Sequence, residues 1–310
     1  MHWKLKAAIQ SACGALPWGA ETFYYGLQSN FGSLRRPISP EPFFREAVSL
    51  SQWLEGAGTS IRGARVLEVG TGRRVDLPLG LSLAGAACCH TFDLHRYLKP
   101  VLVEQSLEYL RAQRVTVEAI FLPAVEENLF RQRLDALAKA GTSQQAMAAA
   151  GIEYHAPADA TSTGLPASSI DVHTSYTVFE HVPREVLRGI LLEAKRLLAP
   201  GGVVLHHIDP SDHFSHDDAS LSSVNFLQFS EGEWSRLAGN QFAYHNRLRS
   251  SQYRALFEEC GYEIVRWQEW PDSPAAALLQ NGFPLHPQFQ SFDAGDLSCA
   301  VVRVLARPRC

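Results

Sequence analysis

The sequence predicts an α/β fold: a seven-stranded, mostly parallel sheet with helices on both of its faces. From Arg65 onward, short apolar runs alternate with stretches that carry apolar residues at helical spacing. Such alternation is typical of parallel strands joined by crossover helices. The 310 residues, 46% of them hydrophobic and 19% charged, are enough for a large core of ordinary globular composition.

Six apolar runs are predicted to be strands, and a weaker seventh is expected near Ile152–His155. The six are Val66–Val69, Ala87–Phe92, Ile170–Thr174, Val203–Ile208, Tyr262–Trp267 and Cys299–Leu305. Helical spacing predicts helices at Leu77–Ala84, Arg184–Leu198 and Ser251–Cys260.

An N-terminal extension and two inserts depart from this alternation. Residues 1–60 are predicted to be a helical extension, with a helix at Phe43–Gly56, and residues 61–310 to be the main domain. One insert, at about 98–150, has a helical composition, and a second, at about 209–249, is polar and aromatic. Because segments at the carboxyl ends of parallel strands cover the ligand crevice, both inserts are expected to determine the choice of substrate.

The charge pattern argues against nucleic acid as a partner. The net charge is −4, and Lys and Arg do not cluster as a polyanion would require. The stretch Ala7–Ala20 is too short and too interrupted to cross a bilayer, so a short amphipathic helix packed on the domain is predicted, with weak membrane-surface contact as the alternative. The six cysteines contain no C-x-x-C pair, which favours a reduced, cytoplasmic protein.

A glycine turn follows the first predicted strand in the run Val66-Leu67-Glu68-Val69-Gly70-Thr71-Gly72. Glycines let the backbone approach a ligand and adopt unusual dihedral angles. Asp93 ends the next apolar run, where a carboxylate would bind ribose hydroxyls. A tight strand–helix connection would explain the two glycines equally well.

The motifs that follow give the turn a more specific meaning. In order they are Asp159-Ala160, Leu165-Pro166, Ser168 to Val172, Thr174 to Val182, and Leu198-Ala199-Pro200-Gly201-Gly202. Over about residues 61–270 this series resembles the class I S-adenosylmethionine-dependent methyltransferases, in particular the small-molecule subgroup with the ubiquinone- and sterol-type enzymes. The resemblance implies a Rossmann-like fold, S-adenosylmethionine as the cofactor, and methyl transfer.

The resemblance also implies that nine residues bind the cofactor. They would contact its methionine portion (Glu68, Gly70, Gly72), its ribose (Asp93), its adenine (Leu94, Asp159, Ala160) and the surroundings of the sulfonium (Ser175, Tyr176). The family commonly has a third glycine at the position of Arg74, and this cation could pair with the cofactor carboxylate or with an acidic substrate.

Histidines and acidic residues gather after the fifth predicted strand, between His206 and Asp218. Methyl transfer to a hydroxyl needs a base, and histidine suits this role at neutral pH. His213 is the first candidate because it lies far enough past Pro210 to turn inward; His181 is the second and His207 the third. A divalent ion held by Asp and His is the alternative, and no metal-binding residue is assigned.

The function predicted is methyl transfer to a small-molecule or carbohydrate-like acceptor, at oxygen, with a histidine as general base. Two alternatives are kept. One is a non-catalytic module that binds the cofactor, and the other is a nicotinamide-dependent oxidoreductase. The second is disfavoured because Val75 occupies the place of a fingerprint glycine and Glu180 that of the lysine in a Tyr-x-x-x-Lys pair. The cluster His245–Arg249 would either bind a polar group of the acceptor or form internal ion pairs with residues such as Glu231.

Overall fold

The computed structural model describes residues 2–16, 18–31 and 39–309. In this part of the chain the strands are β1 (Arg65–Val69), β2 (Cys88–Phe92), β3 (Ile152–His155), β4 (Ile170–Tyr176), β5 (Leu198–Ile208), β6 (Tyr262–Pro271) and β7 (Cys299–Pro308). They form one sheet in the order β3-β2-β1-β4-β5-β7-β6. The first five strands pair in parallel, and β7 is antiparallel to both β5 and β6. The predicted fold class and all seven strands are confirmed.

Thirteen α-helices occur among the described residues. They are α1 (Trp3–Gly14), α2 (Ala20–Phe31), α3 (Glu41–Glu55), α4 (Asp76–Ala84), α5 (Pro100–Ala112), α6 (Arg114–Phe121), α7 (Glu127–Lys139), α8 (Ser143–Ala150), α9 (Arg184–Leu197), α10 (Glu231–Ala238), α11 (Ser250–Glu259), α12 (Ser273–Gln280) and α13 (Ala294–Ser298). The predicted helices now labelled α3, α4, α9 and α11 are confirmed within two residues at each end.

Both faces of the sheet are buried, because successive side chains of a strand point to opposite sides. On β1, Val66 enters a core that includes α3, α4 and α7, whereas Leu67 enters a core that includes α9 and α11. Each large apolar side chain buried in this way contributes about 1.5–3 kcal/mol relative to full exposure. The two cores therefore hold the strand ends, and the residues just beyond them, in fixed positions.

The N-terminal segment differs from its prediction. A single helix was predicted for Ala7–Ala20, but α1 ends at Gly14 and α2 begins at Ala20; Pro17 lies outside the described residues. Trp3 anchors α1 at the second insert, where its ring packs on that of Phe214 at a centroid distance of 5.4 Å. No helix in residues 2–16, 18–31 and 39–309 is long and apolar enough to cross a membrane.

The insert at 98–150 is helical, as predicted, and consists of α5 to α8. Its expected position over the crevice is corrected, since α7 and α8 pack on α4 and α6 packs on α3, in the helical layer on one face of the sheet. Phe130 and Leu134 of α7 are fully buried in that layer. A helical composition shows that such a segment forms helices, but it does not show which face of the sheet they cover.

Candidate active site

A cavity of about 300 Å³ lies at the carboxyl ends of β1 and β4. Three of the predicted cofactor residues, Glu68, Gly70 and Tyr176, line it. Of the other lining residues, only Arg74 was suggested from the sequence as a partner of the cofactor, through the cofactor carboxylate. The remaining ones are Phe43, Thr71, Arg73, Asp76, Leu77, Leu102, Thr177 and Val178. Leu102 is the one residue of the first insert in this set, so that insert contributes little to the cavity.

The glycine turn after β1 has a steric reason. Gly70 has a φ of +85°, and a Cβ atom there would lie 2.4 Å from a methyl carbon of Val178. Gly72 also has a positive φ, +68°, and its N–H donates to an Asp93 carboxylate oxygen at 3.1 Å. Since side-chain-bearing residues rarely adopt these angles, glycine is needed both for the backbone conformation and for the close approach to Val178.

Asp93 follows β2 and is held between two neighbouring strands. It is 5% exposed, and it accepts hydrogen bonds from the Gly72 N–H and from the Tyr154 hydroxyl, the latter at 3.1 Å. Burial raises the pKa of Asp93 to about 6, although these donors act in the opposite direction. Tyr154 lies on β3, the weakest of the predicted strands, and nothing in the sequence marked it as a partner of Asp93.

Glu68 on β1 is a buried carboxyl group of this cavity. Its side chain accepts a hydrogen bond of 2.6 Å from the Thr91 hydroxyl, and it is 4% exposed. Burial raises the pKa of Glu68 to about 8, so the carboxyl group is mostly protonated at neutral pH without a ligand. A cationic group beside it would favour the ionised form.

Arg74 occupies the position where the family commonly has a third glycine, and its side chain is held by two hydrogen bonds. Its Nε donates to Asp76 at 2.5 Å and its Nη2 donates to the Ser106 hydroxyl at 2.8 Å. The remaining Nη1 is buried and has no hydrogen-bond partner among the described residues. A guanidinium fixed on two sides, with a third donor unused, is suited to bind an anionic group in this cavity.

The residues predicted to surround the adenine lie outside this cavity. The Ala158 N–H donates to the Asp93 carbonyl at 2.9 Å, which places the loop of Asp159 and Ala160 beside the end of β2. Asp159 is exposed and accepts from the Thr161 N–H at 2.8 Å. Leu94 is 65% exposed.

Ser175 and Tyr176, adjacent on β4, point to opposite faces of the sheet. Tyr176 lines the cavity, with its ring 5.7 Å from that of Phe43. Ser175 is fully buried on the other side, where its hydroxyl is 2.8 Å from His206 Nδ1. The structure therefore brings the side chain of Tyr176 into the cavity and keeps that of Ser175 out of it.

A second cavity, of about 370 Å³, shares Arg73 with the first. Four separate parts of the chain line it, namely the N-terminal helices, the ends of strands, the 3₁₀ turn after Asp212, and the loop before α11. Its lining residues are Lys6, Gln10, Glu21, Tyr24, Gln28, Arg73, Tyr97, His181, His213, Phe214, Gln241, Phe242, Ala243, Tyr244 and His245.

Three histidines meet at one wall of the second cavity. The ring centroids of His181, His213 and His245 are 4.3–4.9 Å apart. His181 Nδ1 is 3.0 Å from the Tyr244 carbonyl, and His245 Nδ1 is 2.9 Å from the Ala243 carbonyl. Because a carbonyl oxygen only accepts, each of these Nδ1 atoms carries a proton, and each Nε2 of the neutral ring keeps a free lone pair.

His213 faces carboxylates instead of carbonyls. Its Nε2 is 3.3 Å from Asp209 Oδ2 and 3.9 Å from Glu180 Oε1. Burial opposes ionisation of Asp209, yet its pKa is lowered because His213 and Ser211 stabilise the carboxylate. Glu180 is 1% exposed, and neither of its oxygens has a hydrogen-bond partner among the described residues.

The third candidate base, His207, lies in a different environment. Its Nδ1 is 3.1 Å from an Arg303 guanidinium nitrogen and 3.5 Å from Glu46, and it lines neither cavity. Three histidines were predicted from the sequence as candidate general bases. Two of them, His181 and His213, line the second cavity. His245, which sequence analysis placed only in a polar cluster, is the third member.

The arginines of that polar cluster have structural partners. Arg247 pairs with Glu231 at 2.5 Å and donates to the Phe226 and Phe229 carbonyls. Arg249 is fully buried and donates to the Pro210 carbonyl at 2.7 Å. Neither side chain lines the second cavity, so these arginines hold the 3₁₀ turns and loops of the second insert together.

Comparison with known proteins identifies the class. A family model described as a methyltransferase domain matches residues 44–266, most of the chain, so the protein belongs to this methyltransferase family. It is an S-adenosylmethionine-dependent methyltransferase, and the oxidoreductase and non-catalytic alternatives are set aside. No curated protein matches the chain.

Several solved structures are similar. Magnesium protoporphyrin IX methyltransferase from Synechocystis PCC 6803, solved with bound SAH, is 14% identical with a TM-score of 0.47, over 93% of this chain and 99% of that chain. An S-adenosylmethionine-dependent methyltransferase from Mesorhizobium loti is 16% identical with a TM-score of 0.40, over 83% and 96% of the two chains. A SAM-dependent methyltransferase from Leishmania major is 12% identical with a TM-score of 0.46, over 98% and 83%.

Proposed function

We propose that this methyltransferase methylates a hydroxyl oxygen of a small, carbohydrate-like acceptor that binds in the histidine-lined cavity. The observation that carries the proposal is the position of His213, with Asp209 3.3 Å away, in a cavity that shares Arg73 with the one at the glycine turn. S-adenosylmethionine supplies an electrophilic methyl group on a positively charged sulfur.

The residues of the first cavity fit the methionine portion of this cofactor. Gly70 lines the cavity, where its missing side chain lets Val178 approach closely, and the unused Nη1 of Arg74 is suited to the cofactor carboxylate. Glu68 is suited to the ammonium group, since a nearby cation favours the ionised carboxyl. Tyr176 closes the same cavity from β4.

The nucleoside portion is assigned to the edge formed by β2 and the loop after β3. Asp93 would accept hydrogen bonds from both ribose hydroxyls, in an orientation set by Gly72 and Tyr154. The exposed side chain of Leu94 would cover the adenine. Asp159 would accept from the adenine amino group, with the Ala160 amide beside the ring; for Ser175, only the backbone is placed to contribute.

The second cavity suits a neutral, hydroxyl-rich molecule. Its amide and phenol side chains can both donate to and accept from hydroxyl groups, and aromatic rings can pack on the apolar face of a sugar. The cationic side chains are already neutralised, since Arg73 pairs with Glu21 at 3.0 Å and Lys6 pairs with Asp217. We therefore expect no requirement for a strongly anionic acceptor.

His213 is the proposed general base. As the acceptor oxygen attacks, a carbon–oxygen bond forms, the carbon–sulfur bond breaks with its electron pair remaining on sulfur, and the hydroxyl proton passes to His213. Asp209 would orient the ring and stabilise the imidazolium that results, as a carboxylate does in a catalytic triad. His181 is the second candidate, but its partner is a neutral carbonyl and not a carboxylate.

The test uses S-adenosylmethionine with a deuterated methyl group and a panel of mono- and oligosaccharides, polyols, phenols and amines. Mass spectrometry would detect the labelled product, and NMR would locate the methyl group. A label on a sugar or polyol oxygen would support the proposal. A label on nitrogen or carbon, or on an acceptor without hydroxyl groups, would contradict it.

A further inference from the structure

We propose that His181, His213 and His245 form a binding site for a divalent transition-metal cation of the zinc class, and that this cation excludes the acceptor. The exclusion of the acceptor rests on the proposed function, which needs a free lone pair on His213.

The three side chains already lie close to a ligand arrangement. One ring nitrogen of each histidine lies within 4.8 Å of the corresponding nitrogen of the other two. Nitrogen ligands of tetrahedral zinc stand about 2.0–2.1 Å from the metal, and hence about 3.4 Å from one another. If the rings turn so that each ligating nitrogen moves inward by roughly 1 Å, the three nitrogens reach this spacing. The fourth coordination position then faces the cavity.

Hydrogen bonds fix His181 and His245 in the tautomer that can coordinate a metal ion. His181 and His245 each donate their Nδ1–H to a backbone carbonyl, from Tyr244 and Ala243 respectively. Metal-binding histidines are held in this manner, because the bond fixes the tautomer and the ring orientation and leaves the other nitrogen free to coordinate.

The unpartnered Nε2 atom of His245 independently indicates a site for a metal ion. The residue is 5% exposed, and its Nε2 is shut off from water and has no partner among the described residues. Leaving such a buried acceptor unpaired is unfavourable, because it has lost its hydrogen bonds to water. A cation among the three rings would satisfy it without any other rearrangement.

The carboxyl groups around the cluster favour a doubly charged ion. Asp209 Oδ2 and Glu180 Oε1 lie 3.3 and 3.9 Å from His213 Nε2, and the two oxygens of buried Glu180 are unpartnered in the described part of the chain. The Asp209 carboxylate places a negative charge beside the three imidazoles, which favours a cation at this position. Imidazole with carboxylate is a donor set that suits zinc, cobalt and nickel.

The metal ion and the acceptor hydroxyl would therefore compete for His213. An imidazole that has given its lone pair to a metal cannot take a proton from the acceptor. The ion would also stand at the wall of the cavity where the acceptor hydroxyl must approach His213. The cation should therefore inhibit turnover in competition with the acceptor, while S-adenosylmethionine binding at the other cavity remains unaffected.

The experiment measures binding and turnover separately. The full chain is stripped with a chelator and titrated with Co²⁺, whose visible absorption reports imidazole coordination, and Zn²⁺ is then added to displace it. We expect one Co²⁺ per chain, with at least tenfold weaker binding in His181→Ala and in His245→Ala. The control His155→Ala alters a more exposed histidine–glutamate group, formed with His90 and Glu153, and should leave the titration unchanged.

Folding of each variant is checked by its S-adenosylmethionine affinity, which should match that of the wild type. Absence of Co²⁺ binding, or binding that survives both His181→Ala and His245→Ala, overturns the metal site and leaves the proposed function intact. Zn²⁺ inhibition that acceptor relieves supports the exclusion. Turnover that rises with Zn²⁺ overturns the exclusion and, with it, His213 as the base.

Discussion

The two cavities of this methyltransferase are built in different ways. The first is formed largely by two continuous stretches, residues 68–77 and 176–178, at the ends of neighbouring parallel strands. The second draws on residues 6–28, 73, 97, 181, 213–214 and 241–245, whose positions depend on packing between segments more than 200 residues apart. Sheet topology alone places the first cavity at the carboxyl ends of the strands. The second exists only when the N-terminal helices and the second insert are both in place.

The electrostatics of the two cavities differ as well. In the first region burial raises the pKa of Asp93 to about 6 and that of Glu68 to about 8, so its carboxyl groups resist ionisation until a ligand arrives. In the second, the pKa of Asp209 is lowered because its carboxylate is already paired. Among the described residues Asp93 and Glu68 have no cationic partner, which agrees with the charged cofactor proposed to bind there, whereas Asp209 beside the second cavity is paired with His213. Substitutions in one region should leave binding in the other unchanged.

The largest effect is expected for His213→Ala. Loss of a general base typically lowers the rate by about 10²–10⁴-fold. Calorimetry should show S-adenosylmethionine affinity unchanged, since His213 does not line the first cavity. The matched control is His216→Ala, because His216 lies 3.6 Å from the same Asp209 carboxylate but does not line the second cavity. Near-normal turnover in His213→Ala would show that the base lies elsewhere.

Asp93→Ala should weaken cofactor binding and leave acceptor binding unchanged. Losing a buried carboxylate that accepts hydrogen bonds costs about 1.5–3 kcal/mol, or about a 10- to 100-fold loss of S-adenosylmethionine affinity. The acceptor KM, measured at saturating cofactor, should stay constant. Tyr154→Phe keeps the carboxylate but removes one donor to it, together with the hydroxyl that accepts from the Tyr97 and Leu98 N–H groups, and should weaken binding less. An unchanged cofactor affinity in Asp93→Ala would mean that the ribose lies elsewhere.

The pH dependence of cofactor binding follows from the same residue. Because the pKa of Asp93 is raised to about 6, its carboxylate is lost as the pH falls through that value, and only the carboxylate accepts from both ribose hydroxyls. Lowering the pH from about 7.5 to 5 should therefore weaken binding about tenfold more in the wild type than in Asp93→Asn, which has no carboxyl group at this position. Tyr154 stays protonated, whereas Glu68, whose pKa is raised to about 8, loses its ionised form over the same window and contributes a slope common to both proteins. Identical slopes in the two proteins would show that Asp93 is not the group responsible.

The sequence predicted more of the residues around the first cavity than around the second, because the first is built from local features of the chain. Strand ends and positive-φ turns leave local signals, such as the apolar run into Gly70 and the acid that ends the next run. Tyr154 left none, because its role depends on the parallel pairing of β3 with β2. All nine predicted cofactor contacts remain predictions.

The second region depends on contacts that no local pattern encodes. Trp3 N–H donates to Asp218 at 3.0 Å across 215 residues, and this contact helps to seat α1 beside the second insert. The first insert, with its clear helical pattern, packs away from the cavity, whereas the N-terminal helices line it. His181 and His213 were identified by their chemistry, but only the fold brings His245 to them. The five cysteines of the described residues are free, and Cys310 lies outside these residues.

The smallest effect is expected for Gln10→Ala, which tests whether the N-terminal helices shape the acceptor cavity. Gln10 is buried, and its amide donates to the Tyr24 hydroxyl at 2.9 Å and to the Phe242 carbonyl at 3.3 Å, so one side chain joins α1, α2 and the loop before α11. Each neutral hydrogen bond contributes about 0.5–1.5 kcal/mol, so kcat/KM for the acceptor should fall by about 2- to 10-fold.

The effect should appear in the acceptor KM and not in cofactor affinity, because Gln10 lines only the second cavity. Tyr24→Phe removes the partner hydroxyl, and the double variant should lose less than the sum of the two single variants. The matched control Gln145→Ala truncates the same side chain type at the start of α8, where it accepts from the Gly141 N–H far from both cavities, and should change neither constant. If Gln10→Ala behaves like Gln145→Ala, the N-terminal helices do not contribute to acceptor binding, and the second region is defined by the insert alone.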